Sequence, residues 1–382
     1  MDLTESAAEQ AFRSEARAWL AANAPPVPMP PGDTPEGFPV HRAWERALFD
    51  GGWAVVSWPE EYGGRGASLW DWLIFEEEYY AAGLPQRVGQ NGIFLLAPTL
   101  FEFGTPEQKD RILRRMARLD DVWCQGWSEP DAGSDLAGIK SRAVRDVASG
   151  GWRLTGQKTW TTRGAYCSHL FGLFRTDPDA ERHRGMTYFL VDLTTPGVTV
   201  RPVDKLDGDA GFAEVFFEDV FVPDRDVLGG VDRGWEVAMA TTGSERGLTL
   251  RSPGRFAAVV ARLVELFRTR DAAGLIVDPA LRLEVADCWM EAEAYRLATE
   301  MTVTRLSAGE RSGPESSLNK VWWSEMDIHL HDTALRILGG DGDLEGQWSK
   351  GYQFALAGPI YAGTNEIQRN VIAERVLGMP RK

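Results

Sequence analysis

A chain of 382 residues with 43% hydrophobic side chains is long enough for two or three subdomains, and no apolar run in it approaches the length needed to cross a bilayer. Its net charge of -15 opposes nucleic-acid binding, which needs a basic footprint, so an anionic ligand must rely on local basic residues. The start MDLTESAAEQ is acidic where a secretory signal would be basic and then apolar, and Cys124, Cys167 and Cys288 lack zinc or disulfide spacing; we expect a cytoplasmic protein with reduced thiols.

Residues 1 to about 121 carry helical patterns, interrupted by a Pro-rich linker from Pro25 to Pro39 and a Gly-rich turn from Tyr62 to Gly66. Thr105 and Gln108 have capping-box spacing with Pro106 at the first helical position, which predicts a helix running to about Arg118. From residue 122 the texture becomes β-rich, with strands expected at Met186 to Leu193, Val198 to Val203 and Ala213 to Pro223. In the last of these, Val215 and Phe217 fall on one side and Phe216 and Glu218 on the other, as in a sheet with one covered face. After Asp232 long helices return. Leu283, Ala286, Met290, Ala294, Leu297 and Met301 recur at spacings of three and four, and Asp278 followed by Pro279 is a helix-start signal. The pattern predicts an α+β chain, mostly α: an N-terminal helical domain over 1–121, a middle β domain over 122–231 and a C-terminal bundle of about four helices over 232–382.

The run SEPDAGSD, Ser128 to Asp135, is the most informative loop. Pro130 fixes its own backbone angle, Gly133 permits close approach, and Ser128 and Ser134 supply hydroxyls, so the loop can offer donors to a ligand. A second motif, GQKTWTT, covers Gly156 to Thr162.

These two motifs, in this order, resemble the central motifs of the acyl-CoA dehydrogenase family. The resemblance extends to WPEEYGG (Trp58 to Gly64), FGTPEQK (Phe103 to Lys109), FFEDVFVP, SERG (Ser244 to Gly247) and IYAGTNEIQRN (Ile360 to Asn370), covering essentially the whole chain. It implies the family fold, with a β-barrel-like middle domain and a C-terminal four-helix bundle, and an FAD cofactor. Trp160 would lie against the flavin, Thr162 would bond near its N5 edge, and Ser128 with the backbone around Trp127 would face its pyrimidine side, where a donor stabilises charge developing on reduction. Ser134 would contact acyl-CoA. Thr364, Glu366, Gly339 and Gly340 correspond to FAD pyrophosphate and adenine contacts, and Arg336 stands where many members have Gln.

The implied reaction is α,β-dehydrogenation of an acyl thioester, which requires a carboxylate base. Many members carry this Glu in IYEGT, but here that position is Ala362. Other members place it directly before an Arg on a helix at the start of the bundle, which in this chain is Glu245 with Arg246 following. The resemblance therefore assigns the base to Glu245, with Arg246 positioning the site and the backbone N–H of Ala362 polarising the thioester carbonyl. The chain departs from the family in lacking a clean Arg-x-x-Phe-Gly segment; Arg268 and Arg270 lie in that region without it. Expected partners are an electron-transfer flavoprotein and further subunits, as a homotetramer or homodimer. Alternatives are a subunit of a heteromeric dehydrogenase and a flavin oxidase or monooxygenase on the same scaffold. The acidic balance disfavours a DNA-binding relative.

Overall fold

The computed structural model describes residues 4–245, 252–310 and 313–380, which divide into two compact units that cut across chain order. One comprises the described residues of 1–28, 67–85 and 246–382; the other, residues 29–66 and 86–245. Helices α1 (Ala7–Asn23) and α3 (Leu69–Ala81) belong to the first unit, and each starts on a serine capping box, Ser6 with Glu9 and Ser68 with Asp71. Helix α2 (Gly37–Asp50) belongs to the second and shortens the expected linker, because Pro39 lies in its first turn, where a missing N–H removes no helical bond. Helices α4 (Ala97–Phe103) and α5 (Pro106–Ala117) follow in the second unit; α5 carries the Thr105–Gln108 box with both halves formed and ends at Arg118.

The second unit is organised around an eight-stranded sheet: β1 (Trp123–Gly126), β2 (Arg142–Asp146), β3 (Gly151–Lys158), β4 (His169–Arg175), β5 (Met186–Asp192), β6 (Val198–Val203), β7 (Phe212–Pro223) and β8 (Val227–Leu228). The spatial order is β6-β7-β3-β2-β4-β5-β8, with β1 parallel to β4. Along β7 the expected alternation holds, with Ala213, Val215 and Phe217 buried; it breaks at Glu218 and Asp219, where Asp219 takes φ 54°, and resumes at Val220 and Val222. Leu154, Leu170, Phe174, Phe189, Val215 and Phe217 form the centre of this core. Helix α6 (Gly234–Glu245), the first after the sheet, belongs to the same unit: it buries Val237, Ala238 and Thr241 and packs on β5 and α4.

In the first unit α7 (Pro253–Ala272), α8 (Leu281–Ser307) and α9 (Ser316–Leu338) pack on one another around Phe256, Leu263, Cys288, Tyr295, Trp323 and Leu330. Helix α3 packs on α7, and the shorter α10 (Gln347–Ala355) and α11 (Asn365–Val371) pack on α9. Helix α8 starts later than Asp278–Pro279 suggested, since Asp278 Oδ1 accepts the Ala280 N–H at 2.9 Å and the first helical residue is Leu281. Its core face also differs. Leu281, Val285, Cys288, Ala292, Tyr295 and Val303 are buried, whereas Leu283, Met290 and Met301 from the expected stripe are 69%, 53% and 56% exposed. This 27-residue helix carries apolar residues on two faces, and spacing alone does not choose which one meets α7 and α9. Among the described residues no helix is long and apolar enough to cross a membrane, and no cluster of metal-binding side chains occurs.

Candidate active site

The two motif loops leave neighbouring parts of the sheet. SEPDAGSD follows β1 and Trp127, and Thr159 to Thr162 follow β3. A buried ion pair ties them together: Lys158 Nζ donates to Glu129 Oε1 at 2.8 Å and Lys158 is 0% exposed. Glu129 also accepts the backbone N–H groups of Lys140 (2.6 Å) and Ser141 (2.9 Å), while the Lys158 ammonium sits 4.8 Å from the Phe174 ring centre. The Thr159 N–H donates to the Ser128 carbonyl at 2.9 Å, which sets the loops side by side. Burial pushes the Glu129 carboxyl up, but the Lys158 charge and the N–H donors outweigh it and hold it below the usual carboxylate range. Burial pulls Lys158 down to about 8 against the opposing pull of Glu129, so the pair is charged at neutral pH. Neither residue was singled out from sequence. The available signal was one acid and one base, each inside a different motif.

Gly156 is required where the loops meet. Its φ is +149°, and a Cβ there would lie 2.2 Å from Ser141 Oγ, the hydroxyl that accepts the Gln157 N–H at 3.2 Å.

Above the clamp, the loops present donors and a flat ring. Trp160 is 61% exposed and takes φ 57°, a conformation costly for a bulky residue; the Thr161 N–H bonded to Ala213 O and the Arg163 N–H bonded to Gly211 O fix the backbone after it. Among the described residues the backbone N–H groups of Ser128, Trp160 and Thr162 have no acceptor. Trp127 is buried edge-on to Tyr188, with ring centres 6.3 Å apart, and its indole Nε1 is likewise unpartnered. Ser134 is exposed on the outer part of its loop.

Tyr188 connects this wall to α6. Its ring stacks on Phe171 and its hydroxyl lies 3.4 Å from Thr241 Oγ1, which also bonds Thr99 Oγ1 at 2.8 Å. Glu245 closes α6 one turn beyond Thr241. Arg246 lies outside the described residues.

In the helical unit, Ala362 and Gly363 take consecutive left-handed conformations, φ 59° and 76°, just before α11. The Ala362 N–H has no acceptor among the described residues. Thr364 caps α11, its hydroxyl accepting the Ile367 N–H at 3.3 Å, and Glu366 is exposed beside it. Gly339 and Gly340 are exposed at the end of α9. Nearby, Arg336 is paired with Glu284 and lies 3.8 Å from Asp278, and Arg270 donates to Asp341 at 2.6 Å and to the Leu338 carbonyl at 2.8 Å. A cleft of about 700 Å³, lined in part by Phe103, Gly229, Gly230 and Arg233, contains none of the expected site residues.

Set beside known proteins, residues 6–120, 124–220 and 232–377 match the N-terminal, middle and C-terminal domains of acyl-CoA dehydrogenase. The chain belongs to the acyl-CoA dehydrogenase family. This acyl-CoA dehydrogenase is 39% identical to the acyl-CoA dehydrogenase IpdE1 of Mycolicibacterium smegmatis, over 98% of each chain. Its fold matches the Tcur3481-Tcur3483 steroid ACAD with a TM-score of 0.89 at 27% identity, covering 100% of both chains. It matches the ChsE4-ChsE5 complex from Mycobacterium tuberculosis at 0.84 and 30%, again over 100% of both. Like its family, it is a flavin-dependent oxidoreductase. The unpartnered donors at Ser128, Trp160, Thr162 and Trp127 suit a flat ring with oxygen and nitrogen on its edges. The α9 end suits a diphosphate less well, because both of its guanidinium groups are already engaged by carboxylates of the same chain.

Proposed function

We propose that the chain binds FAD and catalyses α,β-dehydrogenation of an acyl-CoA thioester to the trans-2-enoyl-CoA, passing electrons to an electron-transfer flavoprotein. The observation that supports this most is the set of unpartnered N–H groups beside the exposed Trp160 ring, on two loops fixed by the Glu129–Lys158 pair. FAD, when bound, supplies the acceptor for the β hydrogen, which leaves as hydride. Glu245 removes the α proton, a step that needs its carboxylate within about 3 to 3.5 Å of the α carbon. Arg246 positions that carboxylate. The Ala362 N–H, which has no acceptor among the described residues, donates to the thioester carbonyl and acidifies the α carbon by stabilising charge on the oxygen. Trp160 covers the ring, Thr162 bonds near its reactive edge, Ser128 and the Trp127 backbone serve the pyrimidine side, and Ser134 contacts acyl-CoA. Thr364, Glu366, Gly339, Gly340 and Arg336 make up the pyrophosphate and adenine end.

The paired state of Arg336 and Arg270 favours a second reading for assembly, in which a related but different chain completes the cofactor's phosphate end. The name of one structural relative, a complex of two chains, points the same way, and another is named a steroid ACAD, which places polycyclic acyl-CoA thioesters first among substrates to try. The test is to purify the chain, read flavin absorbance, and assay straight-chain, branched and polycyclic acyl-CoA thioesters with an artificial electron acceptor, with dioxygen uptake measured in parallel. A yellow protein that forms enoyl-CoA supports the reading, and a colourless chain that turns yellow and active only with a second chain supports the heteromer. Rapid dioxygen consumption, or no flavin under any of these conditions, contradicts the dehydrogenase reading.

A further inference from the structure

Ala362 and Gly363 are adjacent residues held in the left-handed region, and for alanine that conformation costs about 1–2 kcal/mol. Such a turn persists only where its surroundings over-determine it. One side chain supplies much of that constraint. Gln368, on the next turn of α11 and 0% exposed, donates from Nε2 to the Ala362 carbonyl at 3.0 Å and to the Gly363 carbonyl at 3.3 Å. An amide has two N–H donors, enough to serve both successive carbonyls. Among the described residues its Oε1 is buried without a partner. A flipped amide would turn that oxygen toward two carbonyl oxygens, so the donating orientation is the one the surroundings allow. Leaving a buried acceptor unmatched is unfavourable, and the arrangement therefore favours the turn over the glutamine's own bonding.

Helix α11 is itself anchored from below. Asn365, 1% exposed, accepts Lys320 Nζ at 2.7 Å and Ser324 Oγ at 3.1 Å on one oxygen, and its Nδ2 donates to Glu325 at 3.2 Å; Lys320 is fully buried. The Asn365 N–H closes the turn onto the Pro359 carbonyl at 2.8 Å. The chain of support runs from α9 through Asn365 to α11, and from α11 through Gln368 to the peptide planes on either side of Gly363.

We propose that Gln368 is a positioning residue for the thioester site: by holding the Ala362 and Gly363 carbonyls it fixes the direction of the Ala362 N–H, unpaired among the described residues, that polarises the substrate carbonyl. This rests on the dehydrogenase reading above. Gln368 touches neither substrate nor cofactor in this scheme; it acts through the backbone.

The test compares wild type with Gln368→Leu, which keeps the bulk and removes both donors, and with Gln368→Glu, which keeps the shape but presents oxygens to two carbonyls. Infrared difference spectra of bound acyl-CoA labelled with carbon-13 at the thioester carbonyl report polarisation directly. We expect a red shift of that stretch in wild type, its loss or reduction in both variants, and a fall in kcat of about 10- to 100-fold with KM little changed and flavin content retained. Val285→Ala, a core truncation in α8, controls for stability: it lowers Tm without moving the carbonyl stretch. A red shift in wild type that survives intact in Gln368→Leu overturns the positioning role alone. A wild type that binds acyl-CoA without any shift, or does not bind it, overturns both this role and the reading it rests on.

Discussion

Replacing Lys158 with methionine removes the one cation that, among the described residues, is hydrogen-bonded to Glu129, and leaves a nearly buried carboxylate in a sheet core. Losing one member of a buried pair costs about 3–5 kcal/mol, because the remaining charge has neither water nor partner. Two features of this site reduce the loss. Glu129 keeps the N–H groups of Lys140 and Ser141, at 2.6 and 2.9 Å, and it can escape its charge by taking a proton. Each unit that its pKa climbs costs about 1.4 kcal/mol near pH 7. We therefore expect Lys158→Met to lose about 3 kcal/mol at neutral pH. In that variant the folded pKa lies above the unfolded value of 4.5, so the deficit shrinks as pH falls toward that value. Adding Glu129→Gln removes the orphaned charge and restores most of the loss. Urea unfolding followed by tryptophan fluorescence, at about pH 7 and about pH 5, measures all three variants. A single variant within about 1 kcal/mol of wild type, or a double variant as unstable as the sum of the two singles, refutes the clamp.

Gly156→Ala should cost at least about 2 kcal/mol in the same assay, combining a disallowed φ with a Cβ placed against Ser141 Oγ; an unchanged urea midpoint would contradict that geometry. Asp327, buried against Arg255 at 2.8 Å, is pushed up by burial but held well below the usual carboxylate range by the Arg255 charge and His331. Its contribution is complete above the unfolded value of 3.8 and is lost as pH falls through the lower folded value, so Asp327→Asn should flatten the acid limb of the stability profile, and an unaltered limb counts against the pairing. His329 is raised to about 9 by hydrogen bonding to Cys288 and Glu291, against the effect of burial. Its stabilisation is full below 6.5 and fades as pH rises through about 9, and an imidazole titration by NMR giving a midpoint near or below 6.5 would contradict this.

Local signals read from sequence translated well where one interaction sets the outcome. The Thr105–Gln108 box starts α5 as expected, and the alternation in β7 orients Val215 and Phe217 inward. Signals that depend on what packs opposite did less well. The apolar series on α8 containing Leu283 and Met290 looked like a core face, but the offset series through Val285 and Cys288 meets α7 and α9. Helix α6, the first after the sheet, packs on β5, a partner that its own sequence does not announce. The motifs pick out Trp160 and Ala362 as candidate site residues, while the buried side chains that support the neighbouring backbone carry no such signal. Glu129, Lys158 and Gln368 are charged or polar residues of ordinary type, and only burial at 8%, 0% and 0% exposure marks them as supports. The pairing of Arg336 with Glu284 joins residues fifty-two positions apart, a separation no local pattern encodes.

Glu245 is our proposed base for an acyl-CoA thioester, in a chain where Ala362 occupies the other position that family members use. Single-turnover mixing of the flavin-loaded protein with its oxidised substrate, for wild type and Glu245→Gln, tests it directly. We expect the variant to bind flavin and thioester normally while flavin bleaching slows by at least about a thousandfold, since the group that takes the α proton is gone. Bleaching at near wild-type rate in Glu245→Gln would contradict it.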